Sequence, residues 1–259
     1  VKLSFCSIAY QQKKWSTPLV VETDLRDIIP RVRQAGYDGI EIWEPHLHGF
    51  DESGLRDLGS TLVEAGLAVP MISPYFNFTK SPDHIRDSLD LGRRLIETCQ
   101  PLRPAALRCF TGTSSHQATP EQWQGAADAL RELATIAAAH GMFLALETHA
   151  WNLMDTVDST LRLLDMVHHP ALGIIFQPST FAPDHLAAMD RLRAHIRHIH
   201  ATNNKEGQAC TLAGGEMCWR TILDRLQEQP FEGFISVEWF GSEPDAALQR
   251  EAAYLHSLA

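Results

Sequence analysis

The sequence predicts a (β/α)8 barrel on three observations: eight short β-rich runs, an amphipathic segment after each, and a length of 259 residues that suits one eight-fold barrel. The runs are 3–10 (LSFCSIAY), 38–43 (DGIEIW), 68–75 (AVPMISPY), 106–112 (ALRCFTG), 143–149 (FLALETH), 172–178 (LGIIFQP), 197–203 (RHIHATN) and 233–240 (GFISVEWF). All are strongly apolar, as parallel strands buried on both faces must be.

Several of the intervening segments end in glycine just before the next strand, as in VRQAGYDGI, VEAGLAV and AAAHGMF, where glycine can take the left-handed C-cap conformation. The segment 119–141 opens with a capping-box pattern, Thr119 followed by Gln122, and carries its apolar residues on one stripe, which predicts an outer helix. The tail DAALQREAAYLHSLA reads as the eighth helix. No linker or change of composition divides the chain, so residues 1–259 read as one domain. The alternative is a doubly wound open sheet, which shares the alternation but often carries a glycine-rich phosphate loop after its first strand. Here that strand is followed by QQKKWSTP.

An apolar fraction of 44% allows a large core without disulfides or a structural metal. The net charge of -10 argues against nucleic acid as a partner. Five scattered cysteines with no CxxC pair indicate neither a disulfide framework nor a cysteine zinc site, and fit a reducing cytoplasm. The N-terminal segment lacks a signal-peptide pattern, and no run of about 18 apolar residues suggests a membrane span.

Strand residues two apart share a face, so Glu147 and His149 point inward once Leu144, Leu146 and Thr148 are given to the helices. The same alternation points Glu41 and Trp43, Arg108 and Phe110, Ile175 and Gln177, His198 and His200, and Ser236 and Glu238 inward. The polar members lie toward the C-terminal ends, where barrel enzymes hold their sites. So many ionisable groups in one interior are costly unless paired or bound to a cation. Two carboxylates, an imidazole and an amide oxygen suit Mn first, Mg or Co next, and are compatible with Zn. Gln177 is either a ligand or a hydrogen-bond donor beside a three-ligand ion completed by water. Glu41 either supports a ligand or contacts substrate. His198, one pleat deeper than His200, reads as a core histidine, and the pair His168 and His169 as a helix C-terminal feature. Trp43, Trp151, Phe176 and Trp239 read as pocket wall or packing, with Trp239, next to Glu238, the one assigned to substrate.

The segments GYDGIEIW, LALETHAWNLMDTVDSTLRLLD, HIHATNN and ISVEWFG resemble the xylose-isomerase-like superfamily of sugar isomerases and epimerases, and among its members the 3-dehydroshikimate dehydratases. The resemblance runs nearly the whole length and includes the step from Trp43 to His46, the run from Met71 to Tyr75, and Arg108. It implies a metal held by Glu147, Gln177, His200 and Glu238, with Gln177 in place of the family's usual aspartate and one negative charge fewer. It also implies His149 as general base or acid, Arg108 and Tyr75 as substrate contacts and His46 as a pocket residue. Two positions depart from the dehydratase pattern: Thr180 stands for a histidine and Thr202 for a lysine.

The chemistry implied is removal of a proton next to a carbonyl, with a metal stabilising the enolate charge. In the dehydratase form His149 takes the proton and a β-hydroxyl leaves; in a keto-sugar isomerase or epimerase Glu147 and Glu238 exchange protons from two sides. A 3-keto-glycoside eliminase would share the enolate. A catalytically silent barrel binding a sugar-like ligand is the reading from another class. The expected partner is a small polar keto-sugar or hydroxy-ketone, and a homodimer would be common for such a barrel.

Overall fold

Eight short strands close into one sheet in the computed structural model, which describes residues 1–14, 16–228 and 230–258. They are β1 (Lys2–Cys6), β2 (Gly39–Trp43), β3 (Ile72–Ser73), β4 (Ala106–Cys109), β5 (Phe143–Glu147), β6 (Leu172–Phe176), β7 (Ile196–Ala201) and β10 (Phe234–Val237). Their order is β1-β10-β7-β6-β5-β4-β3-β2 in a closed barrel, which rules out the open doubly wound sheet. Two further strands, β8 (Asn204–Lys205) and β9 (Gln208–Ala209), form an antiparallel hairpin that the periodicity does not predict.

The helices are α1 (Leu25–Gln34), α2 (Glu52–Ala65), α3 (Pro82–Thr98), α4 (Pro120–Ala139), α5 (Val157–Val167), α6 (His185–Leu192), α7 (Trp219–Gln227) and α8 (Pro244–Leu258). The capping box at Thr119 and Gln122 is formed as expected. Gly66 caps α2 at φ 66°, and Gly141 follows α4 at φ 72°, the left-handed turns that only glycine adopts at little cost. His168 ends α5 in the left-handed region, and His169 Nδ1 accepts the Ala171 amide, so both serve the helix end. The last residue of the expected eighth helix, Ala259, lies outside the described residues.

The strands are shorter than the apolar runs that signal them. Residues Ser7–Tyr10 leave β1 as a 3-10 turn. In the run 68–75 only Ile72–Ser73 is strand, because Pro70 and Pro74 bracket it and cannot donate to a ladder. His149, Gln177 and Glu238 therefore stand just beyond their strands, on the segments leading into the following helices.

The chain divides into two compact units, Val1–Ile72 with Ile199–Ala259, and Ser73–His198. In the first, β1 pairs in parallel with β2 and β10, with Ser4 opposite Ser236 and Cys6 opposite Glu41; Ser236 in turn lies opposite His200 on β7. The Ser4 and Ser236 hydroxyls are hydrogen-bonded and buried. In the second, β4, β5 and β6 pair in parallel with Arg108 opposite Ala145 and Glu147 opposite Ile175. Helices α3, α4, α5 and α6 belong to this unit, and their apolar faces include the fully buried Trp123, Leu130, Leu133 and Leu163. Among the described residues no helix is long and apolar enough to cross a membrane.

Candidate active site and metal centre

In the unit Ser73–His198 the alternation of β4 and β5 buries Arg108 and Glu147, at 3% and 1% exposure. Arg108 Nη1 donates to Glu147 Oε2 at 3.2 Å, and its Nη2 donates to the carbonyls of Ser73 and Pro74 at 3.4 and 3.2 Å. The guanidinium carbon also lies 4.6 Å from the ring centroids of both Tyr75 and Phe110, which stack with an interplanar angle of 4°. A planar cation that stacks and donates in several directions at once is a role lysine cannot fill. Arg108 thus holds Glu147 while its guanidinium lies against Tyr75 and Phe110.

His149, half-buried, follows β5 and packs edge-on against Phe110, with ring centroids 5.7 Å apart. Its Nδ1 is 2.7 Å from the Ala150 carbonyl, an oxygen that only accepts, so Nδ1 carries the proton. The neutral ring then has its lone pair on Nε2, the form a general base needs.

Gln177 is positioned from behind by Thr148: its backbone amide donates to Thr148 Oγ1 at 2.9 Å, and that hydroxyl donates to the Ile175 carbonyl. Thr180 Oγ1 donates to the Thr148 carbonyl, so this departure from the dehydratase pattern ties the same turn together. The Gln177 side-chain oxygen is buried with no hydrogen-bond partner, an acceptor in need of a cation or donor.

The unit Val1–Ile72 with Ile199–Ala259 holds a carboxylate, an imidazole and a second carboxylate close together. His200 on β7 is fully buried, with Nε2 3.2 Å from both oxygens of Glu41 on β2. A carboxylate only accepts, so Nε2 carries a proton and Nδ1 is the nitrogen turned toward Glu238. Nδ1 lies 3.8 Å from Glu238 Oε2, too long for a hydrogen bond. With metal–ligand bonds of about 2.1 Å, one ion can hold two donors at such a separation. Glu238 is held just past β10 by its amide, which donates to the Ala201 carbonyl.

His46 is buried, its Nδ1 3.0 Å from Ser7 Oγ and its ring edge-on to Trp43. Burial pushes its pKa down from 6.5 to about 4, partly offset by the charge of Asp24, so the imidazole is neutral at pH 7. Trp239 is engaged elsewhere: its indole N–H donates to the Ser242 carbonyl and Arg250 of α8 lies over its ring. His198 is buried on β7, deeper than His200, in the manner of a core histidine.

Two residues escape the sequence reading. Cys6 ends β1, and its thiol lies with a Glu41 oxygen and a His200 nitrogen in a buried group whose ligand atoms are all within 4.8 Å of one another. The alternation that points Ser4 inward also points Cys6 inward. Lys14 stands in the loop after β1, its Nζ 5.2 Å from the Phe240 ring centroid. Burial lowers its pKa, while the charges of Glu238 and Glu22 oppose that shift, so a cation sits in the field of Glu238.

The family model described as xylose isomerase-like TIM barrel matches residues 29–258. The chain belongs to this family. Within it, a 3-dehydroshikimate dehydratase of Bacillus anthracis is 26% identical over 98% of this chain and 96% of its own length. A fructoselysine 3-epimerase of Shigella flexneri is 26% identical over 85% of each chain. The crystal structure of a probable 3-DHS dehydratase involved in petrobactin synthesis from Bacillus anthracis superposes with a TM-score of 0.85 at 24% identity, covering 99% of both chains. These relatives are named as enzymes, a dehydratase and an epimerase.

Proposed function

We propose that residues 1–259 act as one barrel enzyme that uses a divalent metal, with Mn first to be tried, to remove a proton next to a carbonyl of a small cyclic hydroxy-ketone. The first substrate to test is 3-dehydroshikimate. The observation that carries this reading is His200, gripped at Nε2 by Glu41 with its Nδ1 turned 3.8 Å from Glu238. The unpartnered, buried oxygen of Gln177 is a further acceptor that a cation would satisfy. A bound ion would polarise the substrate carbonyl and stabilise the charge that develops on its oxygen.

The remaining steps fall to the chain itself. His149 Nε2 accepts the proton from the carbon next to the carbonyl, and the hydroxyl one carbon further leaves as water after taking up a proton. Arg108 holds Glu147 in place, and Tyr75, half a ring proud of the surface, bounds the substrate. The engagement of Glu147 by Arg108 favours the single-base dehydratase over an epimerase in which Glu147 and Glu238 exchange protons, since a carboxylate already held by a guanidinium is the poorer base. Ultraviolet detection of protocatechuate formed from 3-dehydroshikimate by metal-loaded protein tests the proposal. A flat trace would remove that substrate and turn attention to keto-sugars such as those of the epimerase relatives.

A further inference from the structure

Among the described residues Trp151 is the most exposed of the large apolar side chains, at 75%, and its backbone sits at φ 61°, a region that a bulky residue rarely adopts. The next residue explains how this is enforced. Asn152 is buried and its Oδ1 accepts the amides of Thr111 and Gly112 at 2.6 and 3.1 Å, while the Leu153 amide donates to Thr111 Oγ1. Trp151 is thus pinned between His149 and a buried anchor, and the fold tolerates a strained backbone to keep an indole in water. Strain of that kind persists where the surroundings over-determine it, and it clusters at functional sites.

The indole does not stand alone. Its centroid is 6.3 Å from the His149 ring, which is 5.7 Å from Phe110, which stacks 5.8 Å from Tyr75. Four rings in contact run from the half-exposed Tyr75 to the exposed Trp151, with the imidazole among them.

We propose that Tyr75, Phe110, His149 and Trp151 form an aromatic wall beside which a six-membered ring packs, with Trp151, tilted 48° to the imidazole, as its outer contact and the determinant of preference for cyclic over open-chain hydroxy-ketones. The inference rests on the reading of His149 as the proton acceptor. Loss of a proton and of water flattens the ring, so packing against the wall strengthens as the reaction proceeds, which is where binding accelerates chemistry.

The test is calorimetric binding of protocatechuate, a planar ring, and of dihydroxyacetone, an open-chain hydroxy-ketone, to wild type and to Trp151→Phe, Trp151→Ala and Trp151→Gly. One aromatic contact is worth roughly a 5- to 10-fold change in Kd. Protocatechuate is expected to weaken by that factor with Ala and Gly and to stay within about 3-fold with Phe, while dihydroxyacetone is unchanged. Glycine relieves the left-handed backbone, so Trp151→Gly keeps or raises Tm and separates the ring from the strain. Wild-type binding by Trp151→Ala, no protocatechuate binding by wild type, or weakening by Ala but not by Gly would each overturn the proposal. Ring binding that depends on Trp151 without turnover of 3-dehydroshikimate would sink the dehydratase reading and leave the wall standing. Turnover with no effect of Trp151 would sink the wall alone.

Discussion

Replacing Arg108 by Met removes the guanidinium that faces Glu147 while keeping most of the side-chain volume between the rings. Both charges are buried, with side-chain exposures of 4% and 2% and a separation of 3.2 Å. Removing one member of a buried pair costs about 3–5 kcal/mol, most of it from stranding the other charge. The hydrogen bonds to the Ser73 and Pro74 carbonyls and the contacts with Tyr75 and Phe110 are lost with it. A total near 4 kcal/mol corresponds to a fall in Tm of about 10 °C for a chain of this size. Thermal unfolding with chelator present measures this without any contribution from metal. The double variant Arg108→Met/Glu147→Gln should recover about half of the loss, roughly 2 kcal/mol, because a neutral pair no longer buries a charge. Additive effects of the two substitutions would refute the pairing as the source of the cost. Arg108→Lys should rescue poorly, since lysine cannot reach Glu147 and two carbonyls in one plane while stacking.

Three further outcomes are expected. Gln177→Asp should tighten Mn binding about 10-fold by adding a carboxylate where the unpartnered amide oxygen stands, read by calorimetry; unchanged affinity would place Gln177 outside the ion's ligands. Glu41→Gln should weaken Mn binding about 10- to 100-fold, because it loosens the grip that presents His200 Nδ1, and the same affinity in both proteins would dissociate Glu41 from the metal. His46 links stability to pH. Its folded pKa of about 4 lies below its unfolded 6.5, so its contribution is complete above pH 6.5 and is lost as pH falls toward 4, to a limit of about 3 kcal/mol. Urea unfolding at pH 7.5 and 5 should show a wild-type loss about 2 kcal/mol greater than that of His46→Gln; equal losses would remove His46 as the cause.

Much of this arrangement is legible in the chain because a barrel strand obeys a period of two. Glu147, His200, Glu238 and Arg108 follow from that period and from the apolar partners that must face the helices, and the structure buries all four. Cys6 was readable by the same rule from Ser4, but a cysteine weighed only for disulfides and zinc is passed over. Lys14 lies in an irregular loop, where no period exists to point a side chain. The hairpin of β8 and β9 turns through Glu206 and Gly207, both at positive φ, a two-residue turn whose Glu-Gly sequence is a weaker signal than Asn-Gly. Trp239 and Glu238 are neighbours on an extended chain and face opposite ways, and the indole meets the Ser242 carbonyl and the Arg250 guanidinium.

The central claim is metal-assisted proton removal next to a carbonyl, and solvent exchange reads that step whatever the final product. Protein loaded with Mn for the reaction, then stripped of the ion before spectra are recorded, is incubated in deuterium oxide with 3-dehydroshikimate and a panel of keto-sugars and followed by proton NMR. The account predicts loss of the signal from the carbon next to the carbonyl for at least one of them, abolished by chelator, restored by added Mn and suppressed in His149→Asn. Retention of every such signal by the metal-loaded wild type would contradict it.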